Sequence, residues 1–196
     1  MTAKRKVGVL ISGRGSNLQA LLDACADPAF PAEIALVISN VATAQGLERA
    51  AEAGIATRTI DHKQYSSRAA FDAVMDEALR GAGIELVCLA GFMRLLSDGF
   101  VEGWRGRMIN IHPSLLPSFK GMHTHAQALA AGVVQHGCTV HYVTPALDDG
   151  PIIAQAAVPV LEGDTVESLA ARVLEAEHRL YPAALRLVAE GKAPGA

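Results

Sequence analysis

The sequence predicts an α/β fold: a mainly parallel twisted sheet flanked by helices, with an antiparallel C-terminal sheet extension and a long C-terminal helix. Two observations carry this. Up to residue 111, short apolar runs bounded by Gly or Ser alternate with Ala-rich amphipathic stretches, the rhythm of βαβ units. Beyond that point, two strand-like runs joined by a Pro/Asp/Gly turn precede one long amphipathic stretch. The front half therefore reads as Rossmann-like.

Each element has its local reason. Residues 7–11 form an apolar run ended by Ser12-Gly13, the mark of a strand buried on both faces. Residues 16–26 follow as a helix and 33–39 as a second strand. A helix over 43–53 is stopped by Gly54, and 55–60 is the third strand. Ser66 or Ser67 caps a helix running to about residue 80. Residues 85–90 are the fourth strand, a short helix starts near Ser97, and 107–111 are the fifth strand. A Pro-rich loop over 112–121 leads to a short helix over 124–131. Strands over 138–144 and 152–160 then pair across a turn holding Pro145, Asp148, Asp149, Gly150 and Pro151. Gly163, Asp164 and Thr165 start a helix over 165–190, which Pro182 kinks or bounds.

Composition narrows the function. With 196 residues the chain is one domain's worth of protein. Its formal charge of −3 and pI near 6.1 argue against a nucleic-acid partner. Hydrophobic residues are 51% and aromatics 5%, so the core is aliphatic and base-stacking platforms are scarce. Cys25, Cys88 and Cys138 form no CxxC, which favours free thiols in a reducing compartment and a cytoplasmic protein. The apolar run after Lys4-Arg5-Lys6 is too short for a signal-peptide core or a membrane span.

Two segments carry chemistry. Ile11-Ser-Gly-Arg-Gly-Ser-Asn17 joins the first strand to the first helix. Its glycines permit close backbone approach, and N–H groups at a helix start attract an anion. Gly15, Ser16 and Asn17 are thus candidate phosphate ligands, for a monoester as readily as for a dinucleotide, although Gly and Ser also suit an ordinary turn. The Walker lysine is missing. The second segment is Asn110-Ile-His-Pro-Ser-Leu-Leu-Pro117. Asn110 and His112 share a side of an extended strand end, where open α/β sheets place ligands. An amide can donate to an oxyanion and an imidazole can move protons. Asp148 could orient His112 and favour its charged form, or simply make its turn; the sequence does not place the two together. His123, His125, His136 and His141 lack acidic or Cys ligands at metal-site spacing, so no metal is expected. Glu177 reads by itself as part of a solvated helix face.

Together, Ile11-Ser-Gly-Arg-Gly-Ser-Asn-Leu-Gln19, Ala90-Gly-Phe-Met-Arg94, the Asn110–Pro117 block, Gly121-Met-His-Thr-His125 and Leu147-Asp-Asp-Gly-Pro151 resemble the phosphoribosylglycinamide formyltransferases, folate-dependent enzymes of de novo purine biosynthesis. The resemblance runs from about residue 6 to 191. It implies formyl transfer from 10-formyltetrahydrofolate, a co-substrate, to the amine of glycinamide ribonucleotide. It implies a phosphate-binding half over about 1–111 and a folate and catalytic half over about 112–196 of one domain spanning 1–196. In that scheme Gly15, Ser16 and Asn17 hold the phosphate and Glu177 contacts the glycinamide end. Asn110, His112 and Asp148 form the transfer centre. Arg68, Met93, Arg94, Leu95, Leu96, Asn110, Thr144, Pro145, Ala146, Leu147 and Asp148 surround the folate. The expected route is direct amine attack through a tetrahedral intermediate, with no metal, no nucleic acid and no membrane, in a monomer or homodimer.

The competing expectations are formyltetrahydrofolate deformylase, another formyltransferase on the same fold, and a non-catalytic phospho-ligand sensor. The length leaves no room for the tRNA-binding or regulatory extensions of the first two. Asp149 stands where the family commonly has Gly, and Lys120 has no role beyond local surface charge.

Overall fold

A computed structural model describes residues 3–195. Its elements are β1 (Arg5–Ile11), α1 (Ser16–Cys25), β2 (Ala32–Ser39), α2 (Gln45–Glu52), β3 (Ala56–Thr59), α3 (Arg68–Gly81), β4 (Leu86–Leu89), α4 (Asp98–Gly103), β5 (Met108–His112), α5 (Thr124–Ala130), β6 (Gln135–Tyr142), β7 (Ile152–Pro159) and α6 (Val166–Ala189). One seven-stranded sheet has the order β3-β2-β1-β4-β5-β6-β7. Pairing is parallel from β3 to β5 and antiparallel from β5 to β7. The expected fold class is the observed one.

Strand alternation divides the core into two layers. Val7, Val9 and Ile11 face α1 and α6, packing with Leu18, Leu21, Tyr181 and Leu185. Leu10 faces the other way, onto Phe71, Met75 and Leu79 of α3 and the Trp104 cluster. Gly8 shares that second face because α3 lies very close: a Cβ there would sit 2.6 Å from Leu79 Cδ2. Burying each such Leu, Ile or Phe contributes about 1.5–3 kcal/mol.

The chain leaves β1 for β2 on one side and returns to β4 on the other. That is a topological switch point, and its crevice opens at the carboxyl ends of the strands. The 12–15 and 90–97 loops rise on either side of it.

Two expectations change. The sixth strand starts three residues early, at Gln135, and ends at Tyr142, so Thr144 belongs to the following loop. Gln135 and His136 are polar yet pair in register with Pro159 and Val158, and His136 is buried. Apolar content therefore underestimates this strand. Pro182 does not bound α6, which continues from Val166 to Ala189. Tyr181, Ala184, Leu185 and Val188 are all buried around it, and that packing outweighs the hydrogen bond a proline cannot donate. Tyr181 Oη also lies 2.8 Å from the Leu89 carbonyl and 3.2 Å from that of Ile109, so its hydroxyl ties α6 to β4 and β5.

Candidate active site

A cavity of about 840 Å³ lies over the carboxyl ends of β4 and β5. Asn17, Met93, Arg94, Leu95, Leu96, Asn110, His112, Thr144, Pro145, Ala146, Leu147, Asp148 and Glu177 all line it. Three expected residues lie elsewhere: Gly15 is the N-cap of α1, Ser16 its first residue, and Arg68 the first residue of α3.

Gly15 is required by geometry. It sits at φ 72°, in the left-handed region, and a Cβ would lie 2.6 Å from the Gly46 Cα at the start of α2. The Gly46 N–H donates to the Gly13 carbonyl at 3.0 Å, locking the loop against that helix. Asn17, the second residue of α1, donates from Nδ2 to Glu177 Oε2 on α6 at 2.8 Å. Asn17 Oδ1 is buried without a partner. Glu177 is 6% exposed, so it does not belong to a solvated face. Burial pushes its carboxyl up, and the Asn17 hydrogen bond opposes this only in part.

At the other end, β5 presents Asn110 and His112 two residues apart, and β6 lies antiparallel with His141 directly opposite Asn110. His112 and His141 are both buried. His141 Nδ1 lies 2.9 Å from the Tyr142 carbonyl. A carbonyl only accepts, so Nδ1 carries the proton and Nε2 is left as an acceptor in the neutral ring. Burial lowers the His141 pKa, against weaker opposite pushes from the Tyr142 carbonyl and Asp148. Its Nε2 meets Asn110 Nδ2 at 3.5 Å, which steers the amide NH₂.

His112 has oxygen at both ring nitrogens. Nε2 donates to the Phe119 carbonyl at 2.9 Å, and Nδ1 faces Asp148 Oδ2 at 3.6 Å. Only a doubly protonated ring presents N–H to both. Asp148 is itself held: its Oδ2 accepts from the Gly121 N–H at 2.8 Å, and its Oδ1 lies 4.0 Å from His141 Nε2. Asp148, not Asp149, takes the left-handed conformation, at φ 48°, which Asp tolerates. Asp149 is exposed and pairs with Lys120, giving both residues the contact that the sequence left unassigned.

Sequence reasoning missed His141 as a partner of Asn110 and the Phe119 carbonyl as a partner of His112. The first depends on strand register and the second on a backbone atom, and neither leaves a residue pattern. Among the described residues no group of three or more His, Cys, Asp or Glu is placed to hold a metal ion, and no helix is long and apolar enough to cross a membrane.

The formyl transferase family model matches residues 5–185. The chain belongs to the formyl transferase family. It is 49% identical over 184 residues to phosphoribosylglycinamide formyltransferase of Escherichia coli, covering 94% of this chain and 87% of the relative. It is 58% identical to the trifunctional purine biosynthetic protein adenosine-3 of Bos taurus over 96% of this chain, which spans only 19% of that larger protein. The crystal structure of glycinamide ribonucleotide transformylase 1 from Symbiobacterium toebii superposes with a TM-score of 0.94 at 55% identity, covering 96% of this chain and 89% of that one. Phosphoribosylglycinamide formyltransferase from Brucella melitensis gives 0.92 at 53% identity, covering 98% and 100%. The two solved structures thus share the fold of this chain.

Proposed function

We propose that this formyl transferase moves a formyl group from 10-formyltetrahydrofolate to the primary amine of glycinamide ribonucleotide. One observation carries the reading: a single cavity is lined both by Asn110, His112 and Asp148 and by the hydrogen-bonded Asn17–Glu177 pair. The walls between suit a folate. Leu89, Leu96, Val101 and Val143 offer aliphatic surface, and the 92–96 and 144–148 segments frame it. The folate supplies the formyl carbon and takes back the leaving nitrogen.

The protein's own groups define the rest. The start of α1, with Gly15, Ser16 and Asn17, receives the ribonucleotide phosphate on backbone N–H groups. The Glu177 carboxylate, held by Asn17 Nδ2, accepts hydrogen bonds at the glycinamide end. As the amine attacks the formyl carbon, one C–N bond forms and the bond to the folate nitrogen breaks. The proton that the amine loses goes to that nitrogen. Asn110 Nδ2 donates to the developing oxyanion. His112, paired with Asp148, supplies positive charge beside it. Arg94 adds local positive charge for the anionic folate, and Arg68 stands farther out on α3. The 1–111 half supplies the phosphate loop, Asn110 and the 92–96 wall, and the 112–196 half supplies His112, Asp148, the 144–148 wall and Glu177. Burial pushes the Cys25 thiol up to about 11 and Cys138 up to about 12, as suits unpaired cysteines in a reducing cytoplasm.

Tetrahydrofolate release measured with each acceptor tests this reading. Turnover is expected only when the ribonucleotide is present. Equal release with water alone would assign the chain to the hydrolases instead.

A further inference from the structure

A second pair of histidines, of which His125 lines the cavity and His136 does not, has no part in the steps above. His125 Nδ1 and His136 Nε2 stand 3.2 Å apart. His136 is 1% exposed, and its Nδ1 is buried with no partner. This locates the shared proton. Were His125 the donor, neutral His136 would carry its own proton on Nδ1, a buried donor with nothing to bond. That costs more than an idle lone pair. His136 therefore donates from Nε2 to His125 Nδ1, and one proton lies between two neutral rings. Burial keeps them so: it pushes His136 down to about 4, with His125 and His112 adding to the effect, and it lowers His125 as well.

The His136 ring is clamped between two others. It meets His125 at 5.2 Å and 90°, and Phe119 at 6.0 Å and 69°, both edge-to-face. Phe119 is the residue whose carbonyl accepts the hydrogen bond from His112 Nε2–H, and it does so from φ 54°, a conformation bulky residues rarely hold. Such a backbone persists only where packing enforces it. The Phe119 ring packs against the small cluster built on Ala128, Cys138 and Val173 as well as on His136.

We propose that His136 is a positioning residue for the transfer step: tied to His125, it holds the Phe119 ring, and the Phe119 carbonyl thereby aims the His112 imidazole. The inference rests on the role given to His112 and extends it to a residue that touches no substrate.

The test uses His136→Leu, His136→Gln, Phe119→Leu and the double variant His136→Leu/Phe119→Leu, with His112→Ala as reference. In His136→Leu, kcat is expected to fall about tenfold while both KM values stay within about twofold. The His112 Nε2 ¹⁵N shift should move, as its hydrogen bond to Phe119 weakens. Gln at 136 should recover most of the loss, because its amide N–H still reaches His125. Phe119→Leu should reproduce the His136→Leu loss, and the double variant should be no worse than either single one. A His136→Leu enzyme with normal kcat and an unmoved His112 shift overturns the proposal, whatever its melting temperature. Should that variant not fold, imidazole ¹⁵N spectra of the unsubstituted enzyme decide: a His136 proton on Nδ1 at neutral pH overturns it, one on Nε2 supports it. Full turnover by His112→Ala would instead remove the role of His112, an outcome separate from the spectroscopic link between His136, Phe119 and His112.

Discussion

Asn110 is the cleanest test of chemistry at the level of one side chain. It lies on a strand held on both sides, and its amide meets His141 Nε2 at 3.5 Å. Losing one oxyanion donor typically costs about 10²–10³ in turnover. Asn110→Ala should lose that much kcat, with its urea midpoint close to that of the parent enzyme; near-normal turnover would end its assigned role. Glu177 makes a different point. Burial raises its pKa above the unfolded value. The stability this group contributes is therefore fully present below the unfolded pKa, and is lost as pH rises through the folded one. Glu177→Gln should raise the melting temperature of the ligand-free enzyme at pH 7.5, relative to the parent, and raise KM for the ribonucleotide. A variant no more stable than the parent would contradict this account of a buried charge kept for binding. At this scale Asn110 and His112 were legible from their two-residue spacing at a strand end. Asp148 was legible as a candidate partner of His112 or as a plain turn residue, with no choice between them, because the sequence does not show that its loop folds back over β5. The burial of Glu177 was hidden because its partner, Asn17, is 160 positions away.

Among the elements, the junction of β1, its loop and α1 is the least tolerant of change. Gly15→Ala must place a side chain at φ 72°, with its Cβ 2.6 Å from the Gly46 Cα. The left-handed conformation alone costs roughly 1–2 kcal/mol, and the contact with Gly46 adds to it. Urea denaturation should show at least that loss, accompanied by weaker ribonucleotide binding; a stable variant with unchanged KM would contradict the tight approach of α1 to α2. The strands β1, β2 and β4 were legible because strands buried on both faces must be continuously apolar. The start of β6 was not, because Gln135 and His136 are polar residues held in the strand by their register with Pro159 and Val158. Nor was the continuity of α6 through Pro182, which depends on packing rather than local preference.

For the whole molecule, one apolar layer runs from Val7 through Ile109 and Val140 to Val188. The phosphate half and the folate half therefore share a core. Unfolding followed by fluorescence of Trp104, the single tryptophan, which is buried on the opposite layer, should coincide with unfolding followed by far-UV circular dichroism. Two separated transitions would mean that the halves melt independently. Alternating apolar and amphipathic runs disclosed the fold class, but the strand order and the meeting of the Asp148 loop with the Gly121 loop belong to the assembled sheet. That meeting also bears on how the enzyme can be recombined with its relatives. Lys120 and Asp149 pair across it, while the Gly121 N–H bonds Asp148. A chimaera that imports one loop without the other would strand a charge on each side and loosen the carboxylate behind His112. The 118–121 and 144–150 segments are therefore a single unit of exchange, although 22 residues of sequence separate them.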